Sequence, residues 1–256
     1  MKKSEAFLTI ANVDKHFGGI TALNGCSFKV MKKSITGLIG PNGSGKTTLF
    51  NVIGGIYKPD KGIVNFNSKK IDGLKPYQIV GEGIVRTFQI TRIFPEMTVL
   101  ENLKVAPQHQ LGEKLLYGLL KTASVKEQEK EIEKRAIDLL NFVGLSKLKD
   151  ENGRNLSFGQ QKLLELTRAL MSEPQLLLLD EPFAGVNLTM VKYLIELILE
   201  LRQKQGKTIL IIEHNIRALM TLVDKVVVLN LGEKIAEGTP KEIQENERVI
   251  EAYLGV

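Results

Sequence analysis

Three glycines, a lysine and two threonines fall within nine residues, where residues 40–48 read GPNGSGKTT. This spacing matches the pattern G-x-x-x-x-G-K-[ST], in which glycines let successive backbone N–H groups turn toward phosphate oxygens. Lys46 would reach the β- and γ-phosphates, and Thr47 would offer its hydroxyl to Mg²⁺. The stretch therefore predicts a phosphate-binding loop for a nucleotide. Its residues are Gly40, Pro41, Asn42, Gly43, Ser44, Gly45, Lys46, Thr47 and Thr48.

Two adjacent carboxylates, Asp180 and Glu181, follow a predicted buried strand at residues 175–179, and His214 lies just beyond a second one at 208–212. Paired acids after an apolar run favour cation binding or water activation, although a turn start supported by the following proline is the alternative. Open parallel sheets bind ligands at the carboxyl ends of their strands. We therefore expect the loop, the acid pair and His214 at one sheet edge.

The elements that must position these residues alternate between strands and helices, which predicts the α/β class. The loop lies between a predicted strand at 35–39 and a helix, while alternating apolar runs at 7–30 and 62–67 predict a small, largely antiparallel sheet. Residues 81–143 are predicted to be mostly helical. Helix starts are indicated by capping residues with suitable spacing, namely Thr98 with Glu101, Ser157 with Gln160, Asn187, and Thr239 with Glu242.

Composition limits the remaining possibilities. The 256 residues carry a net charge of +6 but interleave lysines with acidic residues, which favours a solvated surface over a nucleic-acid or membrane-surface site. No apolar run reaches the roughly 18 residues of a membrane span, and the first residues lack a secretory signal, so a cytoplasmic protein is expected. Cys26 is the single cysteine and is predicted to be a buried small hydrophobe.

Two further motifs, Gln89 within RTFQ and the stretch LSFGQ at 156–160, complete an ordered set. With them the sequence resembles the ATPase subunit of ABC transporters over nearly its whole length. Within that family, GIVRTFQITRIFPEMTVLEN and IAEGTPKEIQENERVIEAYLG are most similar to the LivG-type branch of branched-chain amino acid importers. Phe158 departs from the family's usual glycine.

The resemblance implies a role for each motif. Phe17, which by itself is better interpreted as a packed core ring, would stack on adenine, and residues 184–187 would form the D-loop. The implied catalytic residues are Glu181 as general base, His214 as switch histidine, Lys46 and Gln89. Mg²⁺ would be bound by Thr47, Gln89 and Asp180. The signature residues Ser157, Gly159 and Gln160 would contact ATP bound by a second subunit.

The implied fold is a P-loop ABC-ATPase fold with a mixed RecA-like sheet core, an antiparallel β subdomain and a helical signature subdomain. Residues 1–88 and 172–256 would form the nucleotide-binding core and the β subdomain, and residues 89–171 the helical subdomain.

Several partners are implied together with ATP and Mg²⁺: a second, identical or homologous ATPase subunit, two transmembrane permease subunits and a solute-binding protein, at the cytoplasmic face of the membrane. No nucleic-acid partner is expected. The alternatives are an importer of urea or short amides, a soluble non-transport ABC ATPase and a non-catalytic regulatory binder. A single phosphate loop with a single signature disfavours the second, and the presence of Glu181 and His214 disfavours the third.

Overall fold

A computed structural model describes residues 6–87, 92–108, 110–111 and 123–254. Its strands are β1 (Ala6–Phe17), β2 (Ile20–Met31), β3 (Ile35–Ile39), β4 (Lys61–Phe66), β5 (Lys69–Lys70), β6 (Ile84–Arg86), β7 (Leu176–Asp180), β8 (Thr208–Ile212), β9 (Lys225–Asn230) and β10 (Glu233–Gly238). Its α-helices are α1 (Lys46–Ile53), α2 (Pro76–Gly81), α3 (Val99–Lys104), α4 (Ala123–Phe142), α5 (Phe158–Met171), α6 (Leu188–Gln203), α7 (Ile216–Met220), α8 (Pro240–Gln244) and α9 (Glu247–Leu254).

The strands form two sheets. The smaller one has the order β2-β1-β4-β5 and is antiparallel, which confirms the alternating pattern at 7–30 and 62–67. The larger one has the order β10-β9-β3-β8-β7-β6, with every pair parallel except β9 and β10. The predicted α/β class with a mixed central sheet is confirmed.

The core lies on both faces of the larger sheet because successive side chains of a strand point to opposite faces. On one face Leu178, Leu210 and Val227 pack with α1 and the smaller sheet. On the other face Leu177 and Ile211 pack with the helices that cover it. The strands β7 and β8, in which four of the five residues are apolar, are therefore buried on both sides, as parallel strands usually are.

The helices α3, α4 and α5 pack against one another, and their buried residues share one core cluster with residues of β6 and β7. The predicted capping boxes at Thr98, Ser157 and Thr239 are all present, because each hydroxyl accepts an N–H and each N3 side chain accepts the cap N–H in return. Cys26 is fully buried, and this burial raises its pKa to about 12. The sequence interpretation of Cys26 as an inert apolar side chain is confirmed.

Two sequence predictions were wrong. Residues 81–143 are predicted to be mostly helical with no strand among them, but Ile84–Arg86 forms β6 and pairs in parallel with β7. A three-residue strand is too short for its periodicity to be recognised. The predicted last helix is two helices, because α8 ends at Gln244 and Asn246 then caps α9 through its side chain. A membrane-spanning helix is absent from the described ranges, where every helix is too short or too polar for one.

Candidate functional site

The phosphate-binding loop leaves the end of β3 and enters α1, as predicted. Gly45 has a φ of 98°, and a Cβ there would lie 2.5 Å from the carbonyl oxygen of Ala22. At Gly40 a Cβ would collide with the carbonyl oxygen of Leu229. Only glycine fits these two positions, so the absence of side chains lets the loop pass close to neighbouring backbone.

Lys46 supplies a buried cation at the start of α1. Its Nζ donates to two carbonyl oxygens of the loop at 2.9 Å each and to Oγ of Ser44 at 3.3 Å. Burial lowers the pKa of Lys46, whereas the charges of Glu181 and Asp180 act in the opposite direction. The ammonium is thus held within the loop and within the field of both carboxylates, where a phosphate would be a stronger, charged acceptor.

Asp180 ends β7 and is 4% exposed. Its Oδ2 accepts a hydrogen bond from Nη2 of Arg86 at 2.7 Å, and Nη1 of Arg86 donates to Oδ1 of Asn51 at 2.6 Å. The guanidinium carbon also lies 5.4 Å from the ring centroid of Phe50. Because Asn51 and Phe50 belong to α1, Arg86 connects the loop helix to the Asp180 strand. The sequence analysis missed Arg86, since one arginine after two apolar residues has no distinctive spacing.

Glu181 and His214 meet across two neighbouring parallel strands. Oε1 of Glu181 lies 3.1 Å from Nε2 of His214, and the His214 side chain is 49% exposed, which contradicts a structural role in the core. Glu181 has a φ of 49°, in the left-handed region that non-glycine residues adopt mainly at turns and functional sites. The structure places the loop, the acid pair and His214 at the same sheet edge, as the sequence predicts.

Glu213 is a second acidic residue at this edge and is 3% exposed. Its Oε1 accepts the N–H of Phe183 at 2.6 Å, and its Oε2 accepts the N–H groups of His214 and Asn215 at 3.0 and 3.1 Å. Burial raises the pKa of Glu213, and these three N–H groups oppose that change. The sequence analysis gave Glu213 no role, although an acid directly after an apolar strand is the signal that marked Asp180.

The signature residues form the N-terminus of α5. Oε1 of Gln160 accepts the N–H of Ser157 at 2.8 Å, and Oγ of Ser157 accepts the N–H of Gln160 at 3.4 Å. A Cβ at Gly159 would lie 2.9 Å from Cε of Met190, and one at Gly185 would lie 2.8 Å from the ring of Phe158. The predicted signature and D-loop residues are therefore packed side by side, with Ser157 and Phe158 exposed to solvent.

Phe17 lies at the end of β1 and is 40% exposed, so its interpretation as a packed core ring is wrong. Its ring contacts Tyr57 edge-on, with the centroids 5.0 Å apart, and the ammonium of Lys15 lies 5.5 Å from its centroid. An exposed, laterally supported ring is the arrangement required for stacking on a base.

Two of the three predicted magnesium ligands, Thr47 and Asp180, belong to the described residues. Gln89 lies outside the described residues. Thr47 is exposed in the first turn of α1, the helix that Arg86 connects to Asp180 through Asn51. A carboxylate and a hydroxyl beside a phosphate loop fit Mg²⁺, which takes one or two protein oxygens together with phosphates and water. In the described ranges, no three His, Cys, Asp or Glu side chains form a metal cluster.

The sequence matches two family models and a set of curated relatives. A family model described as ABC transporter matches residues 23–184, and a model described as branched-chain amino acid ATP-binding cassette transporter matches residues 233–256. The high-affinity branched-chain amino acid transport ATP-binding protein LivG of Salmonella typhimurium is 43% identical, over 98% of this chain and 99% of its own.

Solved structures agree in fold. The ADP conformation of MJ1267, an ATP-binding cassette of an ABC transporter, superposes with a TM-score of 0.84 at 39% identity, over 99% of this chain and 100% of the other. A dimeric post-hydrolysis state of the cassette MJ0796, bound to ADP and Pi, superposes with a TM-score of 0.74 at 25% identity, over 91% and 98% of the two chains. The expected ABC-ATPase fold is confirmed by these likenesses.

Proposed function

The chain belongs to the ABC transporter family, and from this premise we propose that it is the ATP-hydrolysing subunit that energises an importer of branched-chain amino acids. The observation that carries the substrate class is the match of residues 233–256 to the branched-chain amino acid family model. The identity of 43% to a LivG protein over almost the full length supports it. The proposed solutes are leucine, isoleucine and valine.

ATP binding is assigned to the loop at residues 40–48. Its backbone N–H groups and the N-terminus of α1 would surround the phosphates, since a helix N-terminus favours negative charge. Lys46 would exchange its loop carbonyl partners for the β- and γ-phosphates, which bind an ammonium more strongly than a neutral carbonyl does. Phe17 would stack on the adenine with the exposed part of its ring.

Hydrolysis is assigned to the Glu181 and His214 pair. Glu181 would accept a proton from the attacking water, and His214, 3.1 Å away, would orient that carboxylate and contact the γ-phosphate. Asp180 and Thr47 would hold Mg²⁺, which supplies positive charge to the phosphoryl-transfer transition state. Positioning and charge, rather than covalent chemistry, would therefore account for most of the rate enhancement.

A second ATPase subunit, identical or homologous, is proposed to complete the site. Ser157 and Gly159 sit at an exposed helix N-terminus, and the hydrogen bonds described for Ser157 belong to its own capping box. Such a terminus can bind the γ-phosphate held by the partner's loop. Residues 89–171, which carry this terminus, would act as the proposed helical subdomain.

Two permease subunits are proposed to dock near Ile93, Phe94 and Met97 and near Gln89, which lies outside the described residues. The protein would thereby associate peripherally with the cytoplasmic face of the membrane. Phe94 is 45% exposed and the guanidinium of Arg168 lies 4.8 Å from its ring centroid. Phe94 and Arg168 also line one groove between β6 and α5. An exposed aromatic ring supported in this way beside a groove is typical of an interface rather than of a solvated surface.

The deciding experiment measures solute-dependent ATPase activity and uptake. The chain, its partner ATPase, the permease subunits and the solute-binding protein are reconstituted in vesicles, and leucine is added. We expect ATP hydrolysis to rise with leucine, isoleucine or valine and not with urea or a short amide. The same complex carrying Glu181→Gln is the control for background hydrolysis.

Uptake by cells that lack the gene tests the substrate class separately. Loss of leucine, isoleucine and valine uptake supports the proposal. Loss of uptake of another solute, with these three intact, would overturn the substrate class and leave the catalytic assignments standing. A reconstituted wild-type complex that hydrolyses no ATP would overturn the catalytic assignments.

A further inference from the structure

At the sheet edge where β7 and β8 end, two acidic side chains each reach the loop that follows the other strand. These strands are parallel neighbours, with Asp180 opposite Ile212, and the N–H of Glu181 donates to the carbonyl oxygen of Ile212 at 2.9 Å. Glu181, which follows β7, reaches His214 in the loop after β8. Glu213, which follows β8, reaches Phe183 in the turn after β7. Each loop therefore contributes one carboxylate to the other loop.

The two carboxylates differ in their partners. Glu181 faces the exposed imidazole of His214, whereas the hydrogen bonds described for the buried carboxylate of Glu213 all come from backbone N–H groups. Burying a carboxylate costs several kcal/mol unless it is well bonded, and charge-assisted bonds to N–H groups are the strong kind. Such a group keeps its three donors at fixed positions relative to one another.

The three N–H donors to Glu213 lie close in sequence to the proposed catalytic pair, Glu181 and His214. Phe183 lies two residues after Glu181, whose φ of 49° marks a tightly constrained turn. The other two donors belong to His214 itself and to Asn215, the N-cap of α7. A displacement of one loop relative to the other would change the 3.1 Å separation of the Glu181 and His214 side chains. The Glu213 carboxylate connects the two loops directly.

We propose that Glu213 is a positioning residue for ATP hydrolysis, whose carboxylate spans the two loops and thereby holds Glu181 against His214. The inference rests on the hydrolytic function proposed above. It concerns how the catalytic pair is held, which the motif residues themselves do not specify.

The first test is Glu213→Gln in the reconstituted complex. The amide oxygen can serve one loop only, because the NH₂ group would face an N–H donor at the other. We expect kcat to fall about tenfold to a hundredfold, since a displacement of about 1 Å at a catalytic group has an effect of this size, while KM for ATP changes less than about threefold. An unchanged kcat with only a lowered Tm would assign Glu213 a structural role and overturn the proposal.

A double-mutant cycle shows whether Glu213 acts through the pair. In a His214→Ala background, Glu213→Gln should lower kcat less than about threefold further, because the contact that it positions is already absent. Full multiplication of the two effects would mean that Glu213 acts independently, which contradicts the proposal. A wild-type complex without ATPase activity would instead indicate that the proposed function has failed.

A second variant tests the length of the side chain at position 213 while keeping its negative charge. Glu213→Asp keeps the charge and can still accept the N–H groups of its own loop, but it is one methylene too short to reach Phe183. It should fold and lose kcat like Glu213→Gln, so normal turnover in Glu213→Asp would refute the spanning role. A control outside the site is Asp224→Asn at the opposite end of the sheet, a more exposed carboxylate whose Oδ2 accepts the N–H of Ile35 at 2.8 Å. Only Tm should change there.

Discussion

At the scale of single residues, the ion pair between Arg86 and Asp180 is the most buried one described near the loop. Its side chains are 10% and 5% exposed, and the two atoms lie 2.7 Å apart. Removing one partner of such a pair costs more than the pair itself contributes, because an uncompensated charge stays in a low-dielectric environment. Arg86 therefore offsets the free-energy cost of burying the carboxylate of Asp180, the proposed magnesium ligand, in the folded protein.

We predict that Arg86→Met lowers the free energy of unfolding by about 3–5 kcal/mol, measured by urea denaturation. Adding Asp180→Asn should recover part of this loss, because the buried charge is then removed as well. Arg202→Met is the matched control: Arg202 pairs with Asp224 at 2.8 Å, close to the 2.7 Å of the buried pair, but those side chains are 33% and 41% exposed. That exposed pair should be worth about 0–1 kcal/mol. Equal losses in Arg86→Met and Arg202→Met would contradict the prediction.

At the scale of elements, helix caps have two different uses in this chain. The capping boxes of α5 and α8 have the same geometry, with a hydroxyl at N-cap and a Gln or Glu at N3. Ser157 starts α5, whose N-terminus is proposed to bind the partner's γ-phosphate. Thr239 starts α8, which packs against β10. The two positions offer a direct comparison between capping and catalysis.

We predict that Ser157→Ala and Thr239→Ala each lower the free energy of unfolding by about 1 kcal/mol, because each exposes helix N–H groups that were bonded. Only Ser157→Ala should also reduce ATP hydrolysis by the assembled complex, by about tenfold or more, since a donor to the transition state is lost. Thermal unfolding and steady-state ATPase assays measure the two effects. Comparable activity in both variants would mean that Ser157 is a cap and nothing more.

The same elements show what a sequence can predict. Capping boxes and apolar strands depend on neighbouring residues, so Thr98, Ser157, Thr239 and the strands β3, β7 and β8 were predicted correctly. The sheet edge that collects the loop, Glu181 and His214 was also predictable, because ligand sites in parallel sheets lie at strand carboxyl ends. These successes all use information contained within short windows or general topology.

The features that were missed depend on contacts between distant parts of the chain. Arg86 acquires its role only when β6 pairs with β7 and brings it to Asp180, 94 residues away. Glu213 likewise accepts a hydrogen bond from Phe183, which is 30 residues away in the sequence. The exposure of Phe17 depends on where β1 ends beside Tyr57. Spacing along the sequence does not indicate which distant residues become partners, whereas strand pairing brings those partners together.

At the scale of the whole molecule, the described contacts leave the signature residues turned to solvent rather than to their own loop. Ser157 and Phe158 are exposed, while Lys46 is buried at the start of α1. The related cassette MJ0796 forms a dimer in its ADP- and Pi-bound state. An association in which each signature faces the other subunit's loop would bury the exposed signature residues against that loop, and bound ATP would link the two surfaces.

We predict that Glu181→Gln retains ATP binding, loses about 10²–10⁴-fold in turnover and accumulates as an ATP-bound dimer, because the amide keeps the shape of the side chain but cannot accept the proton of water. Gel filtration with ATP, using the variant alone and with its partner ATPase, measures the association. The control adds Lys46→Ala, which removes the loop's side-chain cation and should abolish both ATP binding and the dimer. If Glu181→Gln binds ATP yet stays monomeric at all concentrations, alone and with its partner, two subunits do not share a site. Hydrolysis would then have to be completed within one chain, and the proposed contact of Ser157 with ATP bound by a second subunit would be wrong.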